Sequence, residues 1–192
     1  KKTKAGFWQD TDVKTSNITN TIEGEEAGML QPIAANILMK LLYAARYCRF
    51  DLLRVVCGLA ALVTKWTKQC DKDLTRLMQY VSATKHHKLI GWVGDKMEDI
   101  EVHLYADANF AGCQKTSRST SGVFLELAGP DTRFALTAQS KKHSCISHST
   151  PEAEIVAGAF ALRQEGMPAL QLWEKLLNRD LVLKVQEDND AL

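Results

Sequence analysis

From residue 33 onward the apolar positions recur with a helical period. Ile33, Ile37, Leu38, Leu41, Leu42 and Ala45 fall on one face of a first helix. Asp51 stands where an N-cap or first-turn acid belongs, and Leu52, Val55, Val56, Leu59, Leu62, Val63 and Trp66 follow as a long stripe at i, i+3, i+4, i+7 spacing. Asp71 opens a third segment with Leu74, Leu77, Met78 and Val81 on one side. Three helices of this length bury their stripes against one another, so these positions are expected to be core and not a cofactor box.

Past Gly94 the period drops to two. In "EVHLYADANFAG" (101–112), Val102, Leu104 and Ala106 alternate with Glu101, His103 and Tyr105, which predicts a strand over 100–106 that ends on Asp107. "GVFLELA" (122–128) predicts a second strand. "RFALTAQS" predicts a third, either ending there or kinking onward into "SCIS". "GPD" at 129–131 is a turn signal that joins the second and third as a hairpin. "HSTPEAEIVAGAFALRQEG" then predicts a helix with Thr150 as N-cap, Pro151 at the first helical position and Glu152 and Glu154 near its positive end. Gly166 reads as its stop, Pro168 opens a further helical stretch, "PALQLWEKLL", and "LVLKVQED" alternates as a last strand ending on Asp188.

This order predicts an α/β fold: a three-strand antiparallel meander, a crossover helix and a parallel strand beside the first. The parallel pair then carries Asp107 and Asp188 at ends that point the same way, where a crevice forms in such sheets.

The chain has 192 residues, enough for one domain with a real core or for two small units. Its 45% hydrophobic and 24% charged residues are ordinary for a globular protein, and no apolar run reaches the roughly 18 residues of a membrane span. Residues 1–29 form a polar leader with no secretory-type apolar core and are expected to be largely mobile. Five cysteines without repeated spacing favour free thiols in a reducing compartment. Within "HSCISH", strand geometry puts His143, Cys145 and Ser147 on one face and His148 on the other, so a metal cluster is not expected there. The net charge of +1 gives no global field for nucleic acid, but cations gather in "TKHHK" (84–88), "QKTSR" (114–118) and "SKKH" (140–143). These are ordinary surface loops, or a phosphate grip if a carboxylate site lies beside them.

An Asp that ends a strand commonly opens a turn, and a Glu in a first helical turn commonly complements the dipole. Asp107, Glu154 and Asp188 invite a different reading together. Glu154 is flanked by Ala153, Ile155 and Val156, whereas Glu152 is expected to face solvent. Three carboxylates brought to one place repel unless cations sit among them, and an oxygen-only set selects Mg²⁺ or Mn²⁺. Two such ions about 4 Å apart clamp the attacking water and leaving oxygen of a phosphodiester displacement.

These residues carry a resemblance. "YADANFAG" resembles the Y-S-D-A-D-W-A-G signature that opens the ribonuclease H domain of copia-type retrotransposon polyproteins. "RSTSG" (118–122), "SKKH" and "STPEAEIVA" (149–157) resemble that family's R-S-T-S-G, S-K-K-Q and S-S-T-E-A-E-Y-I-A in the same order, and "EDNDA" (187–191) its D-N-x-x-A. Upstream, "LLYAARYCRFDLL" (41–53) and "RLMQYVSATKHHKL" (76–89) are similar to the region joining reverse transcriptase to ribonuclease H. The resemblance spans about residues 30–192. It implies a ribonuclease H-like fold that hydrolyses the RNA strand of RNA–DNA hybrids with two Mg²⁺ ions. Asp107 then matches the acid bridging both ions, Glu154 the acid of the crossover helix and Asp188 the acid ending the fourth strand. Lys115, Arg118, Lys141 and Lys142 become the candidate nucleic-acid contacts. The implied partners are the hybrid and the reverse transcriptase portion of the same polyprotein, with no membrane, in cytoplasm or nucleus.

The chain also departs from the family pattern. Asn109 replaces a frequent acid, Phe110 a Trp, Ile155 a Tyr and Phe50 a Pro. The family's fourth acid lies beyond the D-N segment and is not matched. The expected organisation is a leader (1–29), a helical connection region (30–95) and a ribonuclease H-like domain (96–192) incomplete at its C-terminus. The alternative is an inactive remnant that keeps the fold and binds nucleic acid without turnover.

Overall fold

A computed structural model describes residues 26–113 and 116–187 of the chain. The helical stripes become α1 (Gln31–Tyr47), α2 (Leu53–Ala60) and α3 (Lys68–Ala83). Ala34, Leu38 and Ala45 of α1 pack with Leu52, Val56, Leu59, Leu74 and Leu77 in one apolar cluster, while Ile33 turns outward and Ala34 takes the buried place expected of it. The long stripe predicted over 52–66 is broken. Its α-helix stops at Ala60, a 3₁₀ turn covers Val63–Lys65, and Trp66 is extended because Thr67 is already the N-cap of α3, accepting from the Cys70 N–H. Asp71 therefore does not open α3. It accepts from the backbone N–H groups of Met29 and Leu30 and from Trp66 Nε1, tying the entry of α1 to the start of α3. Asp51 closes the other end, taking Arg49 Nε and Nη2 at 2.9 and 2.7 Å and the Tyr80 hydroxyl at 3.0 Å.

The second half is a four-stranded mixed sheet in the order β3-β2-β1-β4, made by β1 (Glu101–Asn109), β2 (Thr120–Ala128), β3 (Arg133–Lys142) and β4 (Leu183–Gln186). β1, β2 and β3 are an antiparallel meander, and β4 runs parallel to β1 from Val102↔Leu183 to Tyr105↔Gln186. The 129–132 turn closes the expected hairpin through Gly129 N–H to Thr132 C=O, and β3 ends at Lys142 without continuing into 144–147. Between β3 and β4 lie α4 (Thr150–Ala161), a π turn (Leu162–Gly166) and α5 (Met167–Leu177).

The alternation in β1 sorts the layers. Val102, Leu104 and Ala106 face α4 and α5 together with Val123, Leu125 and Leu127 of β2. Tyr105, Phe124 and Ala138 stand in one cross-sheet row on the other side, where Phe124 meets Phe50 and Ala138 joins the helical cluster. The sheet is thus covered by α4 and α5 on one face and by the α1–α2 unit on the other.

Gly166 does not stop the helix as expected. A Cβ there would lie 2.8 Å from Leu104 Cδ2 and 3.1 Å from Leu183 Cδ2, so its role is close approach to the sheet. The π turn carries the chain from α4 into α5 at that point.

Candidate functional site

The start of α4 aims one acid outward and one inward. Ser149, one residue earlier than the predicted Thr150, is the N-cap, accepting from the Glu152 N–H, while Glu152 Oε2 accepts from the His148 N–H at 2.7 Å. Glu152 is committed to that cap. Glu154, two residues on, turns toward the sheet and is only 4% exposed. Ala153 and Ala157 pack against Ala108 of β1, and these small side chains bring helix and strand close enough for Glu154 to reach the Ala108 N–H.

Burial pushes the Glu154 carboxyl up, to about 7; a hydrogen bond with Glu187 and the charges of Asp107 and Glu187 add to this, and the Ala108 N–H opposes them. Glu154 Oε2 has no hydrogen-bond partner among the described residues although it is buried. Glu187 follows directly on β4, and its Oε2 lies over α4, 3.5 Å from where a Cβ on Gly158 would be. Asp107 does not end its strand, which runs on to Asn109. It shares the alternation of Glu101, His103 and Tyr105, on the side of β1 turned from α4, and is exposed. The structure therefore brings Asp107 and Glu154 into mutual charge reach from opposite faces of one strand end. Asp188 and Lys115 lie outside the described residues. Among the described residues no three His, Cys, Asp or Glu side chains are grouped closely enough to hold a metal ion.

The predicted cations gather at the same end of the sheet. Lys141 and Lys142 pair with Ser121 and Thr120, which pair in turn with Ala108 and Asn109 beside Asp107. Lys141 rises on the α4 face, its Nζ 4.8 Å from the centre of the Phe160 ring. Lys142 points the other way and donates to Cys113 Sγ at 2.7 Å. Burial alone would raise the Cys113 thiol, but the Lys142 and Thr116 hydrogen bonds outweigh it and bring it down to about 7. Arg118 is exposed, with its carbonyl receiving the Cys113 N–H.

"HSCISH" contains a feature that spacing did not reveal. His143 is buried, and its Nε2 shares a 2.7 Å hydrogen bond with Ser121 Oγ; burial lowers its pKa. Its Nδ1 and the buried Ser147 Oγ have no hydrogen-bond partner among the described residues. Glu187 was likewise missed, because an acid inside an acidic tail carries no periodic signal.

On the outer side of β1, Tyr105 donates to Glu126 Oε1 at 2.9 Å; burial first, then this bond and the Glu126 charge, push its hydroxyl up to about 12. A hollow of about 450 Å³ is lined by Glu174, Arg179 and Asp180 and not by these carboxylates; its Arg179 binds the carbonyls of Met97 and Ile100 ahead of β1. No helix among the described residues is long and apolar enough to cross a membrane. Comparison with protein-family models, curated proteins and solved structures gives no match.

Proposed function

We propose that this chain is the ribonuclease H-type portion of a copia-type retrotransposon polyprotein, acting in cytoplasm or nucleus beside its reverse transcriptase portion and hydrolysing the RNA strand of RNA–DNA hybrids. The observation that carries the reading is Glu154. A crossover helix between two parallel strands buries a carboxylate, leaves one of its oxygens without a partner among the described residues and sets it within charge reach of Asp107. A buried carboxylate oxygen without a donor is costly unless a cation or proton completes it.

The donor set fits hard divalent ions, since every candidate group offers oxygen. Asp107 and Glu154 would hold Mg²⁺, with Asp188 in the role that the resemblance implies; Asp188 follows Gln186 by two residues, as Asp107 follows its strand partner Tyr105. Bound ions of this kind activate water and stabilise the leaving oxygen. The rest falls to the chain's own side chains. The α4 cap fixes the direction of Glu154, and Ala108 orients it through its N–H. Arg118, Lys141 and Lys142 supply phosphate contacts at the same end of the sheet.

The test is cleavage of a labelled RNA–DNA hybrid with Mg²⁺ or Mn²⁺. The RNA strand is cut, and Asp107→Asn or Glu154→Gln lowers the rate on the order of 100-fold or more. A second reading, a chain that binds nucleic acid without turnover, is favoured by one observation: Glu154 is engaged with Glu187. A folded chain that binds the hybrid and never cuts it would establish that reading.

A further inference from the structure

From the middle of α3 to the end of the segment that follows it there is no acid: none stands between Asp73 and Asp95, while Lys85 and Lys88 follow the helix beside His86 and His87. Residues 85–94 are exposed throughout, yet they are anchored at both ends. The His87 N–H bonds the Thr84 carbonyl, and Trp92 exchanges two backbone hydrogen bonds with Arg133 at 2.9 and 3.0 Å. Gly94 and Asp95 donate to Thr132 Oγ1. Gly91 lies under the Phe134 ring, so close that a Cβ would come within 2.6 Å of Cδ2. The result is a strap with a fixed backbone whose large side chains find no cover: Ile90 is 71%, Trp92 54% and Phe134 42% exposed. Asp95 takes the Asp131 N–H at 2.8 Å, and Asp131 lies against Gly94, so both acids stand at the Gly94 end of the strap, six residues past Lys88.

We propose that this strap is a binding surface for single-stranded nucleic acid. A base stacks on Trp92, and the flanking phosphates run along Lys85 and Lys88. A ring on a segment held by two backbone bonds presents its face with little loss of conformational freedom, and Lys85 and Lys88 give the complementary charge. The strap lies at the Arg133 end of the sheet, level with Glu101, and Asp107 is six residues further along β1, about 20 Å away. It is therefore a second surface, independent of the carboxylates and of the nuclease reading.

The experiment is fluorescence anisotropy of a labelled oligo-dT of about 20 nucleotides with the full chain in EDTA, so that no divalent ion contributes. The chain binds. Trp92→Ala weakens binding about fivefold or more, Trp92→Phe restores most of it, and Lys85→Gln with Lys88→Gln reduces the slope of log affinity against log salt by about 1.4. Circular dichroism checks that each variant folds. Equal affinity of Trp92→Ala and the parent overturns the proposal. So does a strap that binds anionic phospholipid vesicles but no oligonucleotide.

Discussion

Glu154 on α4 and Glu187 just past β4 hydrogen-bond to each other, although both are acids. A carboxylate pair makes this bond by keeping a proton. Burial and the neighbouring charges raise Glu154 from 4.5 to about 7, so the folded chain binds a proton that the unfolded chain releases. Stability from this group is full below pH 4.5 and is lost as pH rises to about 7, by up to about 3 kcal/mol in the absence of divalent ions. Glu154→Gln flattens that part of the profile. Urea unfolding at pH 5 and pH 8 in EDTA measures it; an unchanged difference in the variant would refute the assignment.

Divalent ions should remove the same penalty. At about 100 times its dissociation constant Mg²⁺ adds about 2.7 kcal/mol, or roughly 5–10 °C in melting temperature for a chain of this size. Asp107→Asn and Glu154→Gln each lose most of the shift. Scanning calorimetry with Mg²⁺ titrated at constant ionic strength separates site binding from salt effects.

Gly166→Ala tests the approach of the π turn to the sheet. The added methyl meets Leu104, which is fully buried and has little room to swing away, and the half-buried Leu183. The expected loss is about 1–3 kcal/mol, an overpacking cost read from denaturant midpoints. A neutral result would mean that α5 sits further from β1 than the contact implies.

Tyr105→Phe removes a proton donor without changing shape. Glu126, 8% exposed, then keeps its carboxylate without the Tyr105 hydroxyl, at a cost of about 1–3 kcal/mol. Adding Glu126→Gln to the Phe variant should recover part of the loss, and a double-mutant cycle gives the coupling.

The sheet was legible because β1 and β2 alternate over a half-buried surface, and the crossover was legible because "HSTPE" announces a helix start. The end of β1 was not. Ala106 and Ala108 continue the buried face, but small residues among Asp107, Asn109 and Gly112 resemble a turn. The cap slipped by one residue because Ser149 and Thr150 both qualify; the three-residue spacing from Ser149 to Glu152 decides it. The stripe over 52–66 misled for another reason: apolar period survives a 3₁₀ turn, so it did not mark where α2 ended. Glu154 was readable from its apolar flanks. Asp107 was readable as an acid of the first strand but not as an exposed one, since parity along β1 depends on which face the helices cover.

β4 is held to β1 by four register positions, and its partners lie ~80 residues apart in the chain. Such a contact closes a long loop for a small return, so it forms late in folding and opens early. Amides of Leu183–Gln186 should exchange with solvent long before those of β1 and β2, as a partial unfolding unit of low free energy. Each such opening carries Glu187 away from Glu154 while the meander stays paired. The carboxylate pair is therefore assembled and dissolved on the timescale of one short strand, and anything that clamps β4 in place sets the fraction of chains that hold it.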